Sequence, residues 1–427
     1  MSVQLRKAGI LLSIGMMCVS GVLAQTKSSY TGPTVELQFV HGYTGSDRPV
    51  IEDMIKNFNA SHPNIVVKGS AVAWASTWQQ LGPLVSAGKA PDVLAMTEDV
   101  IKKFSLRNAL TVLTPTALKT ATINAGDYYN TMWAMATDKG NVFGVPFGSV
   151  AGVMYYNKDL FDEAKVPYPS SNDTFTTFAD KLTKLKAALG SDYYGICLPA
   201  DFARMGAFAY ANGWQQFNTK GKSNLLDPRF VSAFNFYTGL AKNKVAVQPS
   251  ELSAGWPGDC LKGGKVGVAI EGGWLVDFLK TNAPNLKYGT ALMPFSDTTK
   301  KRGNFLYTVG WAINSGTKNQ AAAIKVLNAL TSPQAQEFVL SQGLAIPSRS
   351  ALASSSSFKG TDAKTLNSVA IFQGATSGNV QSFSFGPAGT DWMKPVNEAL
   401  AAVLSGQKSS ADALKKAQQD MTTFQNR

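Results

Sequence analysis

Val35-Glu36-Leu37-Gln38-Phe39-Val40 runs into His41-Gly42-Tyr43-Thr44-Gly45, and the fold is decided here. The first six residues alternate in polarity, as a strand does. The next five form a Gly-rich turn. Pro49 then opens a helix whose apolar residues Val50, Ile51, Met54, Ile55 and Phe58 recur at helical spacing. Asn64 to Val67 reads as a second strand, Thr77 to Ser86 as a helix, and Asp92 to Met96 as a third strand. Strand, helix, strand, helix, strand implies a parallel sheet covered on both faces, an α/β architecture.

Phe143-Gly144-Val145-Pro146-Phe147-Gly148 is rich in breakers and interrupts this pattern. Val150 to Tyr156 then reads as a strand and Thr174 to Leu189 as a helix ended by Gly190. Asp227-Pro228 starts a helix with an N-cap and a first-turn proline. Val266 to Ile270 is a short buried strand. A breaker-rich stretch, Pro294 to Asn304, precedes a strand from Phe305 to Ile313. Helices follow at Ala321 to Leu330 and Pro333 to Leu340, then a loop at Ser354 to Ser357. The last helices lie near Trp392–Leu404 and Ala411–Phe424.

At 427 residues the chain is long for one domain, so two are expected. Hydrophobic residues are 44% of it, which supports a sizeable core and excludes a disordered chain. The net charge is +12, but only eight of the 40 basic residues are arginine and none cluster beyond Lys300-Lys301-Arg302. Nucleic-acid binders concentrate their basic residues, so the charge reads as solvated surface.

Arg6-Lys7, the apolar run Ala8 to Leu23 and the small residue Ala24 form a secretory signal peptide over residues 1–24. Met17 before Cys18 fits a lipid-anchor signal poorly. The mature chain is therefore expected to be periplasmic or extracellular. It retains Cys197 and Cys260, which an oxidising compartment could pair or leave as two buried thiols.

Catalytic and metal signatures are missing. His41 and His62 are the two histidines, and neither has partners at metal-ligand spacing. There is no G-x-S-x-G elbow and no Walker A loop. No metal and no cofactor are expected. An enzyme acting on a polysaccharide would need a carboxylate pair, and nothing singles one out.

Pro146-Phe147-Gly148-Ser149 followed by Met154-Tyr155-Tyr156-Asn157-Lys158-Asp159-Leu160-Phe161 resembles a hallmark of family 1 extracellular solute-binding proteins. These serve bacterial ABC importers of sugars. Ala87 to Val93, Gly263 to Trp274 and Gly343 to Arg349 resemble further motifs of that family, in the same order. The resemblance covers nearly all of the mature chain and extends to the maltose-binding and glycerol-3-phosphate-binding members. It implies the two-lobe, type II periplasmic-binding-protein fold: two α/β lobes, a hinge of crossover strands and a ligand in the interlobe cleft. Its implied division is residues 25–147 plus 303–350 for one lobe and 148–302 plus 351–427 for the other. It further implies a monomer that binds a carbohydrate and partners a membrane permease, with no nucleic acid.

His41, Trp78 and Glu98 look most like the glycerol-3-phosphate type, but Met393, beside Lys394, stands where that type has its phosphate-pairing arginine. Trp274, Trp311 and Trp392 instead suit stacking on a sugar face. An uncharged mono- or oligosaccharide is the expected ligand. A sugar sensor on the same scaffold is the other binding alternative.

The candidate ligand residues are His41 and Tyr43 in the first strand-end turn, Trp78, Glu98, and Ser149 beside the first crossover. Trp214, Glu271, Gly273, Trp274, Trp311, Arg349 and Trp392 complete the set. Several have a plainer reading: core packing for the tryptophans, a helix cap for Glu98, a surface lysine partner for Glu271, and an interlobe ion pair for Arg349.

Overall fold

The computed structural model describes residues 30–45 and 47–425. The expected signal peptide lies outside them. Two sheets organise the chain. The first takes β1 (Val35–His41), β2 (Ile65–Ala71) and β3 (Val93–Thr97). A small hairpin, β4 (Thr137–Asp138) and β5 (Asn141–Val142), stands apart. The first sheet then adds β6 (Gly144–Ala151). The second sheet contains β7 (Val153–Asn157), β8 (Tyr194–Cys197), β9 (Ala246–Val247), β10 (Val266–Glu271) and β11 (Tyr288–Ala291). β12 (Gly303–Ile313), β13 (Ile346–Pro347) and β14 (Asn379–Ser382) return to the first. Strand order is β13-β6-β12-β3-β1-β2, with β14 also on β12, and β11-β7-β10-β8-β9.

β1 pairs in parallel with β2 and β3, as the alternating strand–helix pattern requires. Leu37, Phe39 and His41 face inward. The helix Arg48–Ser61 covers them with Ile51, Met54, Ile55 and Phe58, one buried stripe at helical spacing. β6 and β12 then run antiparallel to the growing sheet.

The breaker-rich stretch at 143–148 is a correction: residues 144–151 form a strand, buried over nearly its whole length. Its glycines are there for closeness. A Cβ on Gly144 would stand 2.9 Å from the Trp311 carbonyl oxygen, and one on Gly148 would stand 3.0 Å from the Ala345 side chain.

Only Gly152 separates β6 from β7, so the chain passes between sheets in one residue. Asn304 grips that residue. Its Oδ1 accepts from Gly152 N at 3.1 Å, and its Nδ2 donates to Gly152 O at 2.8 Å and to Gly374 O at 3.3 Å. β12 starts at Gly303, tight against the helix Phe202–Ala211, and runs on into the first sheet.

Each sheet has its own core. Leu37, Phe39, Phe58, Phe147, Trp311 and Val326 belong to the first. Phe178, Phe202, Trp214, Phe230 and Trp392 belong to the second, where the terminal helices Lys394–Leu404 and Ser410–Gln425 also pack. Cys197 at the end of β8 and Cys260 in the helix Pro257–Lys262 are joined as a disulfide inside the second body. Of the two alternatives open in the sequence, the structure has the bonded one.

Candidate functional site

Strand ends and the turns behind them build the site. β1 ends at His41, and Gly42 turns the chain. A Cβ on Gly42 would fall 1.8 Å from the Trp74 ring, so glycine lets that indole pack on the turn. Tyr43 meets Trp74 edge to face at 5.2 Å, and Trp74 lies 5.4 Å from Trp78 on the same helix. β3 ends at Thr97, and Glu98 begins the next helix. Glu98 Oε1 accepts from Lys102 at 2.6 Å, and Lys102 also reaches Ser384 at 3.4 Å. His41, Tyr43, Trp78 and Glu98 thus all fall at the carboxyl ends of β1 and β3 or on the helix after β2, the edge where α/β sheets bind ligands.

The second sheet contributes β10 and its turn. Glu271 ends the strand, and Gly272-Gly273 leads into the helix Trp274–Asn282. The Trp274 ring folds back over Gly272, where a Cβ would sit 2.4 Å from it. Gly273 is buried as the residue before the helix. Trp274 is half-buried; its Nε1 donates to Glu271 Oε2 at 2.9 Å, and its ring stands at 85° to Tyr307. Arg204 Nη2 donates to both Glu271 oxygens, at 2.8 and 2.7 Å, and Nη1 reaches Asp201 at 3.3 Å. Arg204, Glu271, Trp274, Asn304 and Tyr307 line a small, partly open pocket with room for about one water molecule. Asp47 after the first turn feels the charge of Asp277, in the helix that Trp274 begins.

Electrostatics follow burial. Burial raises the Glu271 carboxyl, with Arg204 and Trp274 opposing. Burial alone would lower the Arg204 guanidinium, but Glu271, Tyr307 and Asp201 together more than offset this and hold it protonated. Among the described residues, buried atoms with no hydrogen-bond partner include His41 Nδ1, Trp78 Nε1, Glu98 Oε2 and Arg204 Nε. Buried polar atoms are normally satisfied, so these are groups with bonding capacity to spare.

Burial pushes His41 down to about 4, against a smaller opposing pull from Glu52. The folded protein therefore keeps this imidazole neutral while the unfolded chain protonates it below about 6.5. The stability it contributes is complete above pH 6.5 and is lost as pH falls from there toward 4, by about 2 kcal/mol after allowing for screening. Denaturant melts of wild type and His41→Gln at pH 7 and pH 4.5 check this. An equal loss in both proteins would refute it.

Five expected site residues lie elsewhere. Trp214, Trp311 and Trp392 are 1%, 0% and 1% exposed and belong to the two cores. Their ring nitrogens are spent on Asn224 O, Leu330 O and Ser223 Oγ. Arg349 is buried against Asp127 at 3.0 Å, Thr331 O at 2.8 Å and the Tyr128 ring, so its ion pair staples the first body internally. Ser149 is buried in mid-sheet, bonded to Thr308 at 2.8 Å across β6 and β12. Glu271 stays at the site, but it pairs with the largely buried Arg204 rather than a surface lysine. Arg204 itself was missed. Its signal is a single arginine within the otherwise apolar helix Phe202–Ala211.

The sequence profile of the bacterial extracellular solute-binding proteins matches residues 27–337. The chain belongs to that family. Among its relatives, a putative binding protein of Brucella abortus (strain 2308) is 28% identical over 323 residues, covering 74% of this chain and 76% of the relative. Solved solute-binding proteins share its fold. An ABC substrate-binding protein of Listeria monocytogenes in complex with cycloalternan superposes with a TM-score of 0.81 at 20% identity, covering 92% of this chain and 99% of that one. UgpB of Mycobacterium tuberculosis in complex with glycerophosphocholine gives 0.80 at 18% identity, covering 93% and 99%. The α/β fold is shared with these two-lobe solute-binding proteins, and the family is one of binding proteins rather than enzymes. No helix among the described residues is long and apolar enough to cross a membrane. No group of His, Cys, Asp and Glu among them could hold a metal ion.

Proposed function

We propose that the protein captures a neutral mono- or oligosaccharide between its lobes in the periplasm or outside the cell. Hinge closure would bury the sugar, and the closed monomer would deliver it to the permease of an ABC importer. The lobes would be residues 25–147 plus 303–350 and 148–302 plus 351–427. The observation that carries this reading is the fixed, half-exposed Trp274 indole, held by Glu271 in the same pocket as Arg204, whose buried Nε has no partner. A sugar offers a C–H face to the indole and hydroxyls to the polar atoms. The relative bound to cycloalternan supports a sugar; the one bound to glycerophosphocholine keeps phosphodiesters as the alternative. Arg204, already engaged by two carboxylates, favours the neutral ligand.

A thermal-shift screen tests it with glucose, maltose, trehalose, sucrose, cello-oligosaccharides, sn-glycerol-3-phosphate and glycerophosphocholine. A ligand at 100 times its Kd adds about 2.7 kcal/mol of stability. A neutral sugar should give the largest shift. Trp274→Ala should then weaken its binding about tenfold, the worth of one stacked contact. A shift with phosphorylated compounds alone would reject the reading.

A further inference from the structure

We infer that Arg204 is a specificity-determining residue of this site: its Nε–H is a donor for an uncharged ligand oxygen, and Glu271 with Asp201 screens its charge against anions. The inference rests on the proposed sugar-binding role and names the side chain that would decide between ligand classes.

Arginine carries five N–H donors in a rigid fork. In Arg204 both Nη2 bonds go to Glu271, and Nη1 reaches Asp201. Nε is buried and has no partner. The side chain lines the same cavity as Trp274 and Tyr307. Two donors are therefore left, the second Nη1 hydrogen and the buried Nε–H, on a side chain that shares its pocket with the Trp274 indole. A ring hydroxyl or ether oxygen lying against Trp274 is the acceptor such an arrangement suits.

Charge sets the class of ligand. The guanidinium brings one positive charge, and the two carboxylates on it bring two negative ones. An incoming phosphate would meet a cluster with a net negative charge. It could not take the fork end-on either, because Glu271 already occupies Nη2. A neutral oxygen loses nothing to this cluster and still gains a hydrogen bond from a charged donor, which is stronger than one from a neutral group.

Asp201 allows a clean test. It caps the helix Phe202–Ala211 by accepting from Ala203 N at 2.9 Å, and asparagine caps equally well. Asp201→Asn removes a charge and keeps the helix start. Arg204→Lys keeps the charge against Glu271 and removes the fork and its Nε.

Isothermal titration calorimetry with maltose, trehalose and sn-glycerol-3-phosphate reads both effects. Wild type should bind one of the sugars at least about a hundredfold more tightly than the phosphate, the size of two charge-dependent bonds. Asp201→Asn should narrow that ratio about tenfold by improving the phosphate. Arg204→Lys should lose about tenfold in sugar affinity with its melting temperature kept to within a few degrees. Sugar affinity unchanged in Arg204→Lys, or a ratio unchanged in Asp201→Asn, overturns the inference while leaving the sugar-binding role standing. Wild type that binds none of the sugars of the thermal-shift screen overturns both, and does so before any variant is made.

Discussion

Glu271→Ala should lower unfolding stability by about 3–5 kcal/mol and abolish detectable sugar binding in the same protein. Glu271 is 1% exposed and holds Arg204 by two bonds and Trp274 by a third. Removing it leaves a guanidinium largely out of water with only the weaker, 3.3 Å contact to Asp201, and a buried charge without its main partner is costly. It also frees the Trp274 ring to leave the position in which it would stack. Urea melts and calorimetry on the same preparation measure both losses. Glu271→Gln, which can still accept from Trp274, should retain more of the binding than of the charge pairing. An unchanged urea midpoint for the alanine variant would mean that Arg204 finds another partner.

Asn304→Leu should cost about 2 kcal/mol, the sum of leaving two partly buried backbone groups of Gly152 without their side-chain partner. The side chain is 4% exposed and also accepts from Phe305 N, so one amide fastens the β6–β7 crossing, the start of β12 and the helix Ala363–Thr376. Hydrogen exchange gives the sharper reading. The Gly152 amide should exchange far faster in the variant, while Leu37 and Phe39 amides inside the first sheet stay protected. Equal protection at Gly152 would show that the crossing holds without the amide.

The elements were readable where periodicity is strong. β1, the helix Arg48–Ser61, β2 and β3 begin and end within a few residues of where alternation and helical spacing put them. β6 was not readable, because Gly144, Pro146 and Gly148 are turn residues in isolation. Their role depends on Trp311 and Ala345 passing close by, which are far away in the chain. The tryptophans show the same limit. A sequence states that an indole is present, and the destination of its N–H decides whether it faces a core or a cleft. Trp214, Trp311 and Trp392 bond to neighbours within their own core, whereas Trp274 bonds to a carboxylate at a strand end. Arg204 stayed hidden because its partner Glu271 is 67 positions away. The family likeness carried the fold, since it draws on the order of several motifs rather than on any one residue.

The bond between Cys197 and Cys260 spans 63 residues yet stays within one body of the molecule. The intervening chain contains the helix Pro228–Lys242, β9 and the turns that bring β10 alongside β8. In the folded protein the link fastens the end of β8 to the helix that precedes β10. Once made, the link closes off a sub-region without spanning the crossing at Gly152. The molecule's redox history would set how long it lasts, while its grip on cargo would be set elsewhere.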